Sequence, residues 1–124
     1  MRNMLVIIIL FLGIFFSCYY DNPPEPLPID PEQVSFKTHI LPILENSCST
    51  SNCHDGTREP NLLNEVAYKN LTAGGYVNLL FPKESSLYKA VDFQENAMPP
   101  GGPQLPALDI ELILIWIQKG APND

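Results

Sequence analysis

A small all-α domain carried behind an export segment and a proline-rich linker is the architecture this sequence predicts. Three observations point to it. Apolar residues recur at helical spacing near the end of the chain, no segment alternates polar and apolar residues long enough to make a sheet, and an apolar run followed by clustered prolines fills residues 1–33.

The N-terminal segment comes first. Arg2 gives a short positive region, Met4 to Phe16 is apolar throughout apart from Gly13, and Ser17-Cys18 follows at once. Its thirteen residues suit the apolar stretch of a signal peptide and fall short of the ~20 that span a bilayer. Residues 1–17 are therefore expected to be a lipoprotein signal peptide, with Cys18 as the acylated first residue. The competing reading is an uncleaved anchor extended to Tyr20. Either way the domain is tethered outside the cytoplasm.

Residues 18–33 carry Pro23, Pro24, Pro26, Pro28 and Pro31 among acidic side chains, the composition of an extended, semi-rigid stalk. The remaining residues, 34–124, form a domain that buries only roughly two thirds of its unfolded surface. A covalently held apolar cofactor would add core that so short a chain supplies sparingly.

Within that domain the pattern predicts short helices. Thr38 can cap the first, with Pro42 in its opening turn and Ile40, Ile43 and Leu44 on its apolar face. Asn64 can cap a second that ends before Gly74-Gly75, and Pro82 opens a third in which Leu87 and Val91 face inward. The last is the clearest. Ile110, Ile113, Leu114 and Ile117 recur at helical spacing, Asp109 and Glu111 favour the N-terminal end, and Gly120 with Pro122 stops it. Leu112, Ile115 and Trp116 widen its apolar face, so it is expected to be well buried.

Charge excludes one class of partner. The chain has 14 acidic and 7 basic residues, and with Arg2 in the export segment the mature part holds six basic against 14 acidic, or −8. Such a surface repels nucleic acid.

The chemistry concentrates in Cys48-Ser49-Thr50-Ser51-Asn52-Cys53-His54, a C-x4-C-H arrangement. Two cysteines can form thioethers to haem vinyl groups, and a histidine beside the second can reach the iron. The usual attachment signature, C-x-x-C-H, is two residues shorter. Ser49 to Asn52 are small or turn-forming and can bulge outward while both sulfurs keep their approach. On the cysteines alone a Cys48–Cys53 disulfide is an equal reading in an oxidising compartment. Zinc is weaker, since the segment offers three ligands and His39 is the sole other histidine, better placed as a helix residue. Met98-Pro99-Pro100 puts a soft thioether on a stiffened loop far enough along the chain to return on the opposite haem face.

Taken in order, Ile40-Leu41-Pro42-Ile43-Leu44, C-x4-C-H, Pro60-Asn61-Leu62, Ser86-Leu87-Tyr88, Met98-Pro99-Pro100 and Trp116-Ile117-Gln118-Lys119-Gly120-Ala121 resemble the bacterial cytochrome c-like domain family, from about Val34 onward. The resemblance implies an all-α cytochrome c-like fold in which the first and last helices cross beside a single covalent haem c. Phe36, Ile40, Ile113 and Trp116 are expected at that crossing. It further implies thioethers at Cys48 and Cys53, His54 as proximal and Met98 as distal axial ligand, and a backbone carbonyl of Pro60 turned to the proximal imidazole. Tyr76 and Tyr88 are expected to be surface-anchored aromatics rather than propionate partners.

Electron transfer without catalysis is the function these features imply. Iron ligated on both faces has no open position for substrate. The acidic surface calls for redox partner proteins with a basic docking patch, and the lipid anchor for a membrane. Tyr19 after Cys18, in place of an acidic residue, favours the outer membrane by resemblance to lipoprotein sorting, with the domain in the periplasm or at the cell surface. Two other readings stand beside it. One is an open-site haem sensor or peroxidase-like protein in which Met98 leaves the iron free; the other is a haem-free, disulfide-closed binding lipoprotein.

Overall fold

A computed structural model describes residues 28–92 and 97–124. The signal-peptide and acylation expectations, Cys18 included, lie outside the described residues, as does the greater part of the linker. Among the described residues there are helices and turns and no strand. None of these helices is long and apolar enough to cross a membrane.

The first helix is built in two parts. A π-helical turn, Phe36–Ile40, leads into α1, Leu41–Ser47. Here the expected cap is corrected. Thr38 lies inside the turn, and the cap is Ser35, whose hydroxyl accepts from the Thr38 N–H at 3.2 Å. A side-chain oxygen at that position relieves one of the donors a helix start leaves unpaired. Pro42 explains the wide turn. It has no N–H to offer the carbonyl of Thr38, and in a regular helix its ring would press on that carbonyl. The π turn, in which the Leu41 N–H reaches back to the Phe36 carbonyl, makes room.

Three further helices follow: α2, Asn64–Ala73; α3, Ser86–Val91; and α4, Ala107–Gln118. The start of α2 also differs from expectation. Asn64 is already helical, and it is Asn61, three residues earlier, whose Oδ1 takes the Leu63 N–H at 3.0 Å and turns the chain into the helix. Gly74 ends α2 as expected. Pro82 opens a separate 3-10 turn, Pro82–Glu84, before α3, and Leu87 and Val91 are buried.

The core lies where the N-terminal helix meets α4. Phe36, Ile40, Leu44, Ile113, Trp116 and Ile117 are all essentially inaccessible to solvent. The Phe36 ring sits 5.2 Å from Tyr68 and 5.3 Å from Trp116, centroid to centroid, so α2 joins the same contact. Burial of one such side chain contributes about 1.5–3 kcal/mol. The polar tips are satisfied rather than trapped: Trp116 Nε1 donates to the Pro122 carbonyl at 2.9 Å and the Tyr68 hydroxyl to the Ala121 carbonyl at 3.0 Å.

The end of the chain stitches this corner shut. Phe36 N–H donates to Asp124 Oδ1 at 2.8 Å, and Lys119 Nζ donates to the carbonyls of Glu32 and Val34 at 2.9 and 2.8 Å. Ile29 packs against the core, so the last residues of the proline-rich stretch are docked on the domain.

Candidate functional site

Helix α1 delivers the chain to the C-x4-C-H segment. The N–H groups of Cys48 and Ser49 both close on the Leu44 carbonyl, at 2.9 and 2.8 Å, which ends the helix at the first cysteine. The next residues form a tight turn. Asn52 takes a left-handed backbone conformation, φ 65°, one that asparagine tolerates better than most side chains, and the Cys53 N–H reaches the Thr50 carbonyl at 2.9 Å. Thr50, Ser51 and Asn52 are exposed. The turn is closed at its base by the His54 N–H on the Cys48 carbonyl at 3.0 Å, so the extra residues project outward while the two ends of the segment stay together.

Cys48 and Cys53 are free thiols, each partly buried. Burial pushes the Cys48 thiol up to about 11, and the nearby Cys53 adds to the rise. Past the motif, Asp55 accepts from Thr57, from its hydroxyl at 2.6 Å and its N–H at 3.2 Å, and these bonds hold its carboxyl below the usual range.

His54 is half-buried and its Nδ1 lies 3.0 Å from the Pro60 carbonyl oxygen. A carbonyl can only accept, so Nδ1 must carry the proton in that bond, and Nε2 is the ring nitrogen left to bind a metal. Orienting one nitrogen in this way fixes the ring and strengthens the other as a donor. The Pro60–Leu62 segment is itself pinned to the motif, with the Leu62 N–H on the His54 carbonyl at 2.8 Å and the Ser49 hydroxyl on the Leu62 carbonyl at 2.7 Å.

Met98 lies on the loop between α3 and α4. Its N–H donates to the Ala90 carbonyl at 2.6 Å, which ties the loop to the end of α3, and the residue is 39 % exposed. Pro99 and Gly102 close the following turn. Thus Cys48, Cys53, His54 and Pro60 come together in one loop and its partner segment, and Met98 is carried on another loop.

Three other residues named in the sequence analysis are placed. His39 is half-buried in the π turn, and its Nδ1 accepts from the Ser35 N–H at 3.1 Å, which engages it in the helix start. Tyr76 and Tyr88 are half-buried against the core, and the Tyr88 hydroxyl is pushed up by burial and by Asp92. Among the described residues no three His, Cys, Asp or Glu side chains gather around a common point.

Sequence reasoning missed Ser49 and Asn70 as parts of this site. Ser49 was visible as a small loop residue, but nothing in the sequence says where its hydroxyl points. Asn70 sits mid-helix, and its Nδ2 donates to the Asn61 carbonyl at 2.7 Å, a contact that only folding creates.

These features define a helical domain with a thiol-thiol-imidazole segment as its candidate site. Compared with protein-family models, with curated proteins and with solved structures, the chain shows no match.

Proposed function

We propose that this chain is a single-haem c-type cytochrome lipoprotein that passes electrons one at a time at a membrane surface. One observation carries the reading: two unbridged thiols flank a turn that leads straight to an imidazole whose Nδ1 is committed to a carbonyl, leaving Nε2 for a metal. This donor set fits haem c. Cys48 and Cys53 would hold it by thioethers, His54 through Nε2, and Met98 through its sulfur. The group so held supplies reversible one-electron exchange. The chain's own part is to fix the imidazole through Pro60, to carry the methionine on a loop tied to α3, and to pack α4 against the helix that leads into the motif.

A cytochrome c-like arrangement of the helices belongs to this proposal, and the all-helical character of the described residues is compatible with it. So does the anchor, with Cys18 acylated and the outer membrane favoured. The −8 mature chain suits a redox partner with a basic docking patch, and its encounter rate should fall as salt rises.

The test is expression of the full chain in a host with a working haem c maturation system. A reduced-minus-oxidised spectrum and a haem stain on a denaturing gel are expected to be positive. Replacing both Cys48 and Cys53 should abolish the stain, because only thioether-bound haem survives denaturation. A Cys48–Cys53 disulfide with no haem mass would sink the proposal in favour of a haem-free binding lipoprotein.

A further inference from the structure

Three successive carbonyls of the segment facing His54 are each taken by a side chain from a different part of the chain. Pro60 O lies 3.0 Å from His54 Nδ1. Asn61 O accepts from Asn70 Nδ2, on α2, at 2.7 Å. Leu62 O accepts from Ser49 Oγ, inside the C-x4-C turn, at 2.7 Å. The same three residues are also held by the Leu62 N–H on the His54 carbonyl and by the Asn61 side chain on the Leu63 N–H.

We propose that Asn70 and Ser49 are positioning residues that hold the Pro60 carbonyl against His54, keeping the imidazole in the form with its proton on Nδ1 and Nε2 free. The role in ligation rests on the cytochrome reading above; the clamp itself does not. The physical reason is that an orienting carbonyl works only if its own peptide cannot rotate away. Pro60 offers no N–H of its own, so the plane of its carbonyl is restrained through the peptides that follow. Those are the peptides whose carbonyls Asn70 and Ser49 occupy. Each bond is a modest one, but both act on the same short segment, and each comes from an element that is fixed elsewhere: Asn70 by helix α2, Ser49 by the end of α1.

This also gives the longer motif a use. A C-x-x-C-H spacing leaves two residues between the cysteines; here there are four, and the first of them supplies the hydroxyl that reaches Leu62. The expanded turn is thereby tied to the segment that orients the histidine instead of hanging free.

The test uses the full chain with 15N-labelled histidine, purified from the haem c maturation host and kept reduced. The ring-nitrogen shifts of His54 and the exchange rate of its Nδ1 proton are read by NMR, signals that exist with or without haem. In the parent protein the proton should sit on Nδ1 and exchange slowly. Asn70→Leu, which keeps the size and removes the donor without adding a charge, and Ser49→Ala should each speed that exchange about fivefold, the change that loss of one ordinary hydrogen bond gives. Where haem is present, the midpoint potential should rise, because a less firmly oriented imidazole donates less to the oxidised iron. Ser49→Thr keeps the hydroxyl and should restore parental values. Thr72→Val, which removes a bond internal to α2, should leave exchange and potential alone. If Asn70→Leu and Ser49→Ala lower the melting temperature yet leave both readings at parental values, the two residues are merely structural and the proposal falls. A chain that carries no haem but shows the accelerated exchange keeps the clamp and removes the cytochrome reading.

Discussion

At the scale of single residues, the clearest chemical asymmetry is in the Cys48 thiol. Its ordinary value of 9.0 rises to about 11 through burial, with Cys53 adding to it. A raised value in the folded chain means that the folded state favours the protonated thiol. The stabilisation is therefore complete below pH 9.0 and is lost as pH climbs towards about 11. In the haem-free chain, urea midpoints should fall across that window, and the Cys48→Ala chain should lack that part of the fall. Iodoacetamide should alkylate Cys48 slowly at neutral pH, since thiolate is the reactive form. Met98 makes the second prediction at this scale. Its thioether is proposed as the distal ligand, so Met98→Ala should lower the potential and speed carbon monoxide binding. An unchanged potential and unchanged binding would leave Met98 without a role at the iron.

Between residue and domain stands the helix, and here local physics decides where each one begins. Ser35 and Thr38 are both good capping residues, and Thr38 is the one expected from the sequence, with Pro42 in the opening turn. The π turn moves the start upstream. Ser35 then takes the Thr38 N–H with its hydroxyl and gives its own N–H to His39 Nδ1, a reciprocal pair of bonds across one turn. Ser35→Ala should therefore cost about 1 kcal/mol in a urea melt. Thr38→Ala, at an exposed position, should stay within about 0.5 kcal/mol. The reverse ranking would restore Thr38 as the cap. The same lesson holds at α2, where Asn64 and Asn61 are chemically identical candidates. Which one turns the chain depends on where Leu62 is held against His54, a contact between residues eight apart.

At the scale of the domain, the contact of the N-terminal helix with α4 is the centre of the described core. Phe36, Tyr68 and Trp116 come from three different helical segments and meet within 5.2 to 6.5 Å of one another. Because Phe36 is sealed from solvent at that junction, Phe36→Ala should cost about 3–5 kcal/mol, read from denaturant unfolding. The motif hangs from the end of α1, so the variant should also impair haem attachment if the cytochrome proposal holds. At the same scale lies the proposed anchor. Cys18→Ala should release a soluble domain or leave an unprocessed precursor, and mass spectrometry of the mature N-terminus decides between acylated Cys18 and an unmodified residue elsewhere.

Periodicity and spacing determined the helical class, the extent of α4, the burial of Ile40, Ile113 and Trp116, and the chemistry offered by C-x4-C-H and Met98, whereas Phe36 entered only through the family resemblance. Those properties are local: an apolar stripe or a cluster of donors is written in residues a few positions apart. The tertiary structure alone decided that Asn70 and Ser49 reach the Pro60–Leu62 segment, that Ser35 and not Thr38 starts the first helix, and that residues 29–34 dock on the domain through Ile29 and Lys119. Each of these depends on a side chain meeting a backbone carbonyl or a core surface brought near by folding. Every residue carries such a carbonyl, so the sequence marks none of them out, and only the packed chain selects which is used.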